Sequence, residues 1–186
     1  SRTLKKTFIP IPLNKCMSLL GMDAFWLVIY AYLGLILGYF LRRITKEEMK
    51  PGENYFRKSG MVIMLLMAFL SLVIFTSDLN RDLGALFGLG LVLGMIFRTP
   101  YPVFALGLVF AIGRFGLILA SLIFVFGLID SSLKWGRNLL VETFMYFLLP
   151  ALVLVYYDLS FVNEFMVLAF FSGFCFSYAY KVLTRD

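Results

Sequence analysis

The chain has 186 residues, of which 61% are hydrophobic and only 15% are charged, whereas soluble domains are typically about 45–50% apolar and about 25% charged. The net charge is +6, but the basic residues flank apolar stretches, where Lys and Arg meet lipid headgroups, so this charge does not indicate nucleic-acid binding. The sequence contains no histidine, which removes a usual zinc and haem ligand and the commonest general base.

These properties predict an all-α, polytopic integral membrane protein with a single transmembrane domain over residues 1–186. Apolar stretches long enough for membrane helices of about 20 residues alternate with short charged segments. Cys16 and Cys175 stand far apart without a metal-binding spacing, and we expect both to be buried as small apolar residues. No metal, cofactor or catalytic residue is predicted, and the sequence favours a protein that is not an enzyme.

The N-terminal segment, residues 1–15, places Lys5 and Lys6 shortly before Pro10 and Pro12. Because proline disfavours a helix interior, we expect an extended segment at the level of the lipid headgroups. A disordered tail is the alternative.

The first span is predicted over Met17 to Leu41, and it contains Gly34 and Gly38 four residues apart, a spacing that lets another helix pack closely. The polar stretch 42–60 follows and predicts a juxtamembrane loop with a short surface helix that Pro51-Gly52 ends. Besides Lys5 and Lys6, the basic residues expected to contact lipid headgroups are Arg42, Arg43, Arg57 and Lys58.

The second span is predicted over Met61 to Ser77, and the third apolar segment runs from Leu83 to Phe97. This third segment is short for a hydrocarbon core of about 30 Å. It is also rich in glycine, which favours close helix packing, with a substrate path as the alternative. The glycines are Gly84, Gly88, Gly90 and Gly94.

The next apolar run, from Val103 to Ile129, is longer than one straight crossing needs, and Arg114 is its single charged residue. In the first interpretation, 83–129 crosses as a short helix and then a long tilted helix, which makes about six transmembrane helices in the whole chain. In the second, part of 83–129 is broken or re-entrant, and the chain turns near 113–116. Backbone of that kind is tolerated where it is buried in protein or lines a wet cavity.

Two further spans are predicted, over Leu139 to Tyr157 and over Phe161 to Tyr180. With six crossings, the basic residues divide almost evenly between the two faces of the membrane. If 83–129 made three crossings, the basic residues would concentrate on the face that holds the 42–60 stretch, which would then be cytoplasmic.

Arg114 is the sharpest candidate for a binding residue. A charge at mid-membrane is costly and usually faces the interior of the bundle with a partner, and arginine cannot escape this cost by losing its proton. We expect Arg114 to hold the anionic part of a substrate, with Gly113 and Gly116 letting the backbone come close. Glu142, one turn into its span, is expected beside Arg114 in this site. The alternatives are a structural ion pair between Arg114 and Glu142, or an Arg114 that lies at a helix end.

Three functions remain. The first is a small transporter or channel-type protein for an anionic or amphipathic solute, with Arg114 at or near the path; the short, glycine-interrupted segments favour it. The second is a non-catalytic subunit or assembly factor of a larger complex, and the third is a membrane enzyme acting on a lipid phosphate. The expected partners are membrane lipids, with a protein bound at 42–60 or a second copy of the chain as alternatives, in a plasma membrane.

Overall fold

A computed structural model of the chain describes residues 13–45, 49–75, 81–97, 99–110, 115–133, 140–148 and 164–184. All regular structure within these ranges is helical, which confirms the predicted fold class. The helices are α1 (Leu13–Ile44), α2 (Met49–Phe75), α3 (Arg81–Ile96), α4 (Tyr101–Phe110), α5 (Gly116–Leu133), α6 (140–148) and α7 (Glu164–Leu183).

Four of the described helices are long and apolar enough to cross a membrane, over Phe25–Ile44, Pro51–Val73, Gly116–Leu133 and Phe165–Leu183. The apolar helix Asp82–Ile96 is shorter. Large apolar side chains on these helices, among them Trp26, Phe69 and Leu117, are exposed, as expected where the surroundings are lipid rather than water. The chain is therefore a helical membrane protein.

The long apolar run after Pro102 forms two helices, α4 and α5, in the described residues. The Tyr101 hydroxyl donates a hydrogen bond to the Asp130 carboxylate, and the Phe104 ring contacts the Phe126 ring with centroids 5.3 Å apart. Contacts in this reversed order mean that α4 and α5 run antiparallel. The helices on either side of residues 111–114 thus run in opposite directions, in agreement with the second interpretation rather than with one long tilted helix over 103–129.

One end of the bundle is where α2 and α4 begin and where α1, α3, α5 and α7 end. We call this end the cavity face, after the cavity described below. The Arg42 guanidinium, near the end of α1, donates to the Leu133 carbonyl at the end of α5. The Lys181 ammonium, near the end of α7, donates to the Phe97 carbonyl just after α3 at 2.8 Å. Charged groups of several helices are thus gathered at one membrane boundary.

Two pairs of parallel helices pack backbone to backbone through glycine. A Cβ atom added to Gly34 or Gly38 of α1 would overlap carbonyl oxygens of α5. A Cβ atom on Gly90 would overlap the Phe170 carbonyl of α7, and one on Gly94 would lie 2.7 Å from the Phe174 carbonyl oxygen. At these positions any larger residue would force the helices apart.

The stretch 42–60 is more helical than the sequence suggested, because α1 extends to Ile44 and α2 begins at Met49. The expectation that Pro51-Gly52 would end a helix was wrong. Pro51 is the third residue of α2, and in the first turn of a helix the amide hydrogen that proline lacks has no intrahelical acceptor. The predicted N-terminal segment 1–15 lies outside the described residues, except for 13–15, which belong to α1.

The core of the described residues combines aromatic rings and methionine thioethers with aliphatic side chains from α1, α2, α4, α5 and α7. Its largest fully buried members are Tyr101, Phe104, Phe147, Phe171, Phe174, Leu35, Met64 and Met67. Cys175, also buried, is a free thiol.

Candidate functional site

A cavity of about 380 Å³ opens at the cavity face between the first turns of α2 and the last turns of α5 and α7. Its lining is mostly apolar and includes Met64, Phe126 and Val182, and the charged members among the described residues are Glu53, Arg57 and Asp130. Small-molecule sites are typically about 300–1,000 Å³ and mostly apolar with a few polar groups, so the cavity matches a single small amphipathic molecule.

Asp130 is the buried acid of this cavity. It lies in the last turn of α5, where only 8% of its surface is exposed, and it lines the cavity. The fully buried Tyr101 donates its hydroxyl hydrogen to the Asp130 carboxylate. The Tyr101 ring is held by the Phe104 and Phe147 rings, with centroids 6.2 and 6.3 Å away. A buried carboxylate needs such donors because burial removes its water, and Tyr101 supplies one of them.

The rim carries an ion pair. The Arg57 guanidinium lies 3.4 Å from the Glu53 carboxylate, one turn apart on α2. Both side chains line the cavity and are exposed, so the pair contributes little to stability, about 0–1 kcal/mol. Its position matters more, because it puts one positive and one negative charge at the entrance.

Two basic side chains at the cavity face cap the ends of neighbouring helices. Arg42 donates to the carbonyl oxygens of Ser132, at 3.1 Å, and of Leu133. Lys181 donates to the carbonyl oxygens of Met95 and Phe97, at 2.8 Å each. The last carbonyls of a helix lack intrahelical donors and carry partial negative charge, so a basic side chain from the adjacent helix satisfies both needs.

The predicted anion site falls largely on residues that the structure does not describe. Arg114 and Gly113 lie outside the described residues, and Gly116 is buried at the start of α5. Glu142 is exposed on α6, with Val141 and Met145 as exposed apolar neighbours. The pairing of Arg114 with Glu142, or with a bound anion, stays a prediction.

The predicted lipid-contacting residues divide into three groups. Lys5 and Lys6 lie outside the described residues, whereas Arg43 and Lys58 are exposed at the cavity face. Arg42 and Arg57 make the protein contacts described above. Of the glycines on α3, Gly90 and Gly94 contact α7, while no atom lies within 4 Å of a Cβ built on Gly84 or Gly88.

Sequence reasoning missed Asp130 and Tyr101 as site residues. It placed Asp130 in a polar connection after the apolar run, and it took Tyr101 as part of a Pro-rich break. The sequence does offer a local signal for a buried polar site, because Asp130-Ser131-Ser132 directly follows an apolar stretch. The structure shows that all three residues are buried. Their contact joins residues 29 positions apart and depends on the turn between α4 and α5.

No family model, curated protein or solved structure matches the chain. Within the ranges that the structure describes, no group of three or more His, Cys, Asp or Glu residues could hold a metal ion. Function therefore has to be argued from the cavity and its residues.

Proposed function

We propose that the protein is a small membrane transport protein that takes an amphipathic solute into the cavity between α2, α5 and α7. The observation that carries this proposal is a cavity of about 380 Å³ at one face of a helical membrane protein, with a mostly apolar lining, a buried carboxylate and an exposed ion pair. Short or interrupted membrane helices such as α3 and α4 often accompany solute sites in transporters, which supports the same class of function.

The size of the cavity favours a small solute over a phospholipid as the molecule bound. At about 380 Å³ it is near the lower end of the range for ligand sites. The alternative of an enzyme acting on a lipid phosphate would need a larger groove with a basic or metal-binding centre. An anionic solute remains part of the proposal through Arg114, and the flux experiment below includes an anion for that reason.

The test is solute flux in proteoliposomes that contain the full chain. Benzyltrimethylammonium and benzenesulfonate, two small amphipathic ions of opposite charge, serve as probes. We expect at least one of them to cross faster than in protein-free liposomes. If neither does, the proposal is wrong.

A variant in which a larger side chain fills the cavity tests whether the solute passes through it. A Cβ atom on Gly60 would lie 3.6 Å from Ile129 Cγ2 and 3.7 Å from Phe126 Cε2, which are ordinary contact distances, so Gly60→Leu should fold and fill cavity space. Gly84→Leu is the matched control, because a Cβ on Gly84 has no atom within 4 Å. We expect Gly60→Leu to abolish the added flux and Gly84→Leu to retain it. Equal flux in both variants would place the path elsewhere.

A partner protein at 42–60 is a second proposal, and one observation favours it. Tyr55 of α2 is 77% exposed at the cavity face, and tyrosine is enriched at protein interfaces relative to the rest of the surface. Crosslinking from Tyr55→Cys in native membranes tests it, and recovery of lipid adducts alone would contradict it. Residence in a plasma membrane belongs to the same set of proposals, and microscopy of a tagged chain tests it.

A further inference from the structure

We infer that the solute bound in the cavity contains an aromatic ring, which lies against the aromatic and thioether side chains of the walls. This inference rests on the proposed function and names the class of its solute. Three features of the described residues support it: an aromatic side chain on each helix that bounds the cavity, the fixed positions of two of these rings, and two methionines on α2.

Each of the three helices around the cavity contributes one aromatic side chain to the described lining: Phe56 from α2, Phe126 from α5 and Tyr178 from α7. A saturated apolar body would gain from these walls mainly the removal of its surface from water. An aromatic ring of similar size gains in addition from ring pairing, in an offset-stacked or edge-to-face arrangement. A solute ring therefore has an aromatic neighbour on whichever of the three helices it lies against.

The Phe126 ring is held in place with one edge towards α2. Its plane lies at 89° to that of the Phe104 ring, with the two centroids 5.3 Å apart, and the residue is buried. Its Cε2 atom would lie 3.7 Å from a Cβ atom on Gly60, which also lines the cavity. The edge of an aromatic ring is positive and attracts the negative face of another ring, so this edge can receive the face of a solute ring.

The Tyr178 ring is also held by its neighbours. It stacks on the Phe174 ring with the planes 13° and the centroids 6.1 Å apart, and the Lys181 ammonium lies 6.0 Å from its centroid. Tyr178 is buried, yet it lines the cavity. A side chain that is already ordered in the free protein adds little entropic cost when a solute binds. Phe126 and Tyr178 thus form a preorganised surface for a ring.

Two methionines of α2 contribute to the same lining. Met61 and Met64 face the cavity on the helix that carries Phe56. Thioether sulfur atoms make favourable contacts with aromatic rings at about 5 Å, often at the ring edge. A saturated ring receives no such contribution. The methionines therefore favour the same class of solute as the three aromatic side chains do.

The experiment measures equilibrium binding of two matched pairs of ions to the full chain in nanodiscs. Benzyltrimethylammonium is compared with (cyclohexylmethyl)trimethylammonium, and benzenesulfonate with cyclohexanesulfonate. Within each pair the charge is the same and only the ring differs, so the comparison is independent of the sign of charge that the cavity accepts. We expect the aromatic ion that binds better to bind about 3- to 10-fold more tightly than its saturated analogue, as for the gain of an aromatic pair. Equal or tighter binding of the saturated analogue would overturn the inference.

Substitutions on α2 test whether the cavity walls produce this preference. Phe56→Leu and Met61→Leu, combined in one protein, keep apolar side chains and should bring the ratio of aromatic to saturated binding close to one, while binding of the saturated ion changes little. Phe69→Leu is the matched control, because Phe69 lies on the same helix but is 67% exposed and outside the cavity. An equal ratio in the two proteins would contradict the inference. If an aromatic ion and its saturated analogue are carried equally and Gly60→Leu stops both, the proposed function stands and the aromatic-ring inference fails; if no ion is carried, both fail.

Discussion

Replacing Tyr101 with phenylalanine isolates the hydrogen bond that orients Asp130. The ring is fully buried and packed against Phe104 and Phe147, so Tyr101→Phe leaves no sizeable void and removes one donor from a buried carboxylate. Hydrogen bonds to charged groups contribute about 1.5–3 kcal/mol. We expect the free energy of unfolding, measured by denaturant titration in mild detergent, to fall by about that amount.

Two other tyrosines provide matched controls for Tyr101→Phe. The Tyr32 hydroxyl donates to the neutral Leu140 carbonyl at 3.0 Å, and hydrogen bonds between membrane helices average about 0.6 kcal/mol, so Tyr32→Phe should cost less. Tyr55 is 77% exposed, and Tyr55→Phe should change stability negligibly. If Tyr101→Phe were no more destabilising than Tyr55→Phe, the argument that Tyr101 stabilises Asp130 would be wrong.

Three further predictions follow from the packing and from the charges at the cavity face. On α3, Gly90→Ala should destabilise strongly because its Cβ overlaps a carbonyl of α7, whereas Gly84→Ala, with open space around it, should be neutral or stabilise by up to about 1 kcal/mol through helix propensity; thermal unfolding measures both. Lys181→Met should lower stability by about 1–2 kcal/mol through loss of the cap on α3, compared with Lys58→Met on an exposed side chain. Tyr55→Cys should react with a membrane-impermeant maleimide only from the cytoplasmic side, since the basic residues of the cavity face favour that orientation.

Each of these has a clear contrary result. Equal stability of the two glycine variants would mean that α3 and α7 do not touch at Gly90. A Lys181→Met protein as stable as Lys58→Met would show that the cap contributes nothing measurable. Labelling of Tyr55→Cys in intact cells without permeabilisation would reverse the orientation of the whole bundle.

The membrane class and the helical fold could be predicted from composition alone, because lipid leaves no alternative partners for backbone groups except within helices or closed barrels. The Gly34 and Gly38 spacing indicated one close-packed face of α1, and α5 covers that face. On α3 the same reasoning could not separate Gly90 and Gly94 from Gly84 and Gly88. All four are consistent with packing by spacing, and only the position of α7 decides which ones are covered.

The candidate site was harder to predict because it is assembled from distant residues. Arg114 attracted attention as a charge inside an apolar run, while Asp130 follows its run and looked like an ordinary solvated residue. Asp130 is buried because α5 runs back to the cavity face, where α4 begins. That return depends on the break between Phe110 and Gly116, which the sequence offered only as one of two interpretations.

The two glycine-packed pairs, α1 with α5 and α3 with α7, have a mechanical consequence. Within each pair the backbones approach closely at glycines of both helices, so sliding or rolling of one helix would bring main-chain atoms into collision. Between the pairs lie α2 and α4, whose contacts with α5 and α7 include methionine and phenylalanine side chains, and methionine adapts its conformation at little cost. Relative movement is therefore restricted within each pair and easier between the two pairs, and the cavity opens between them.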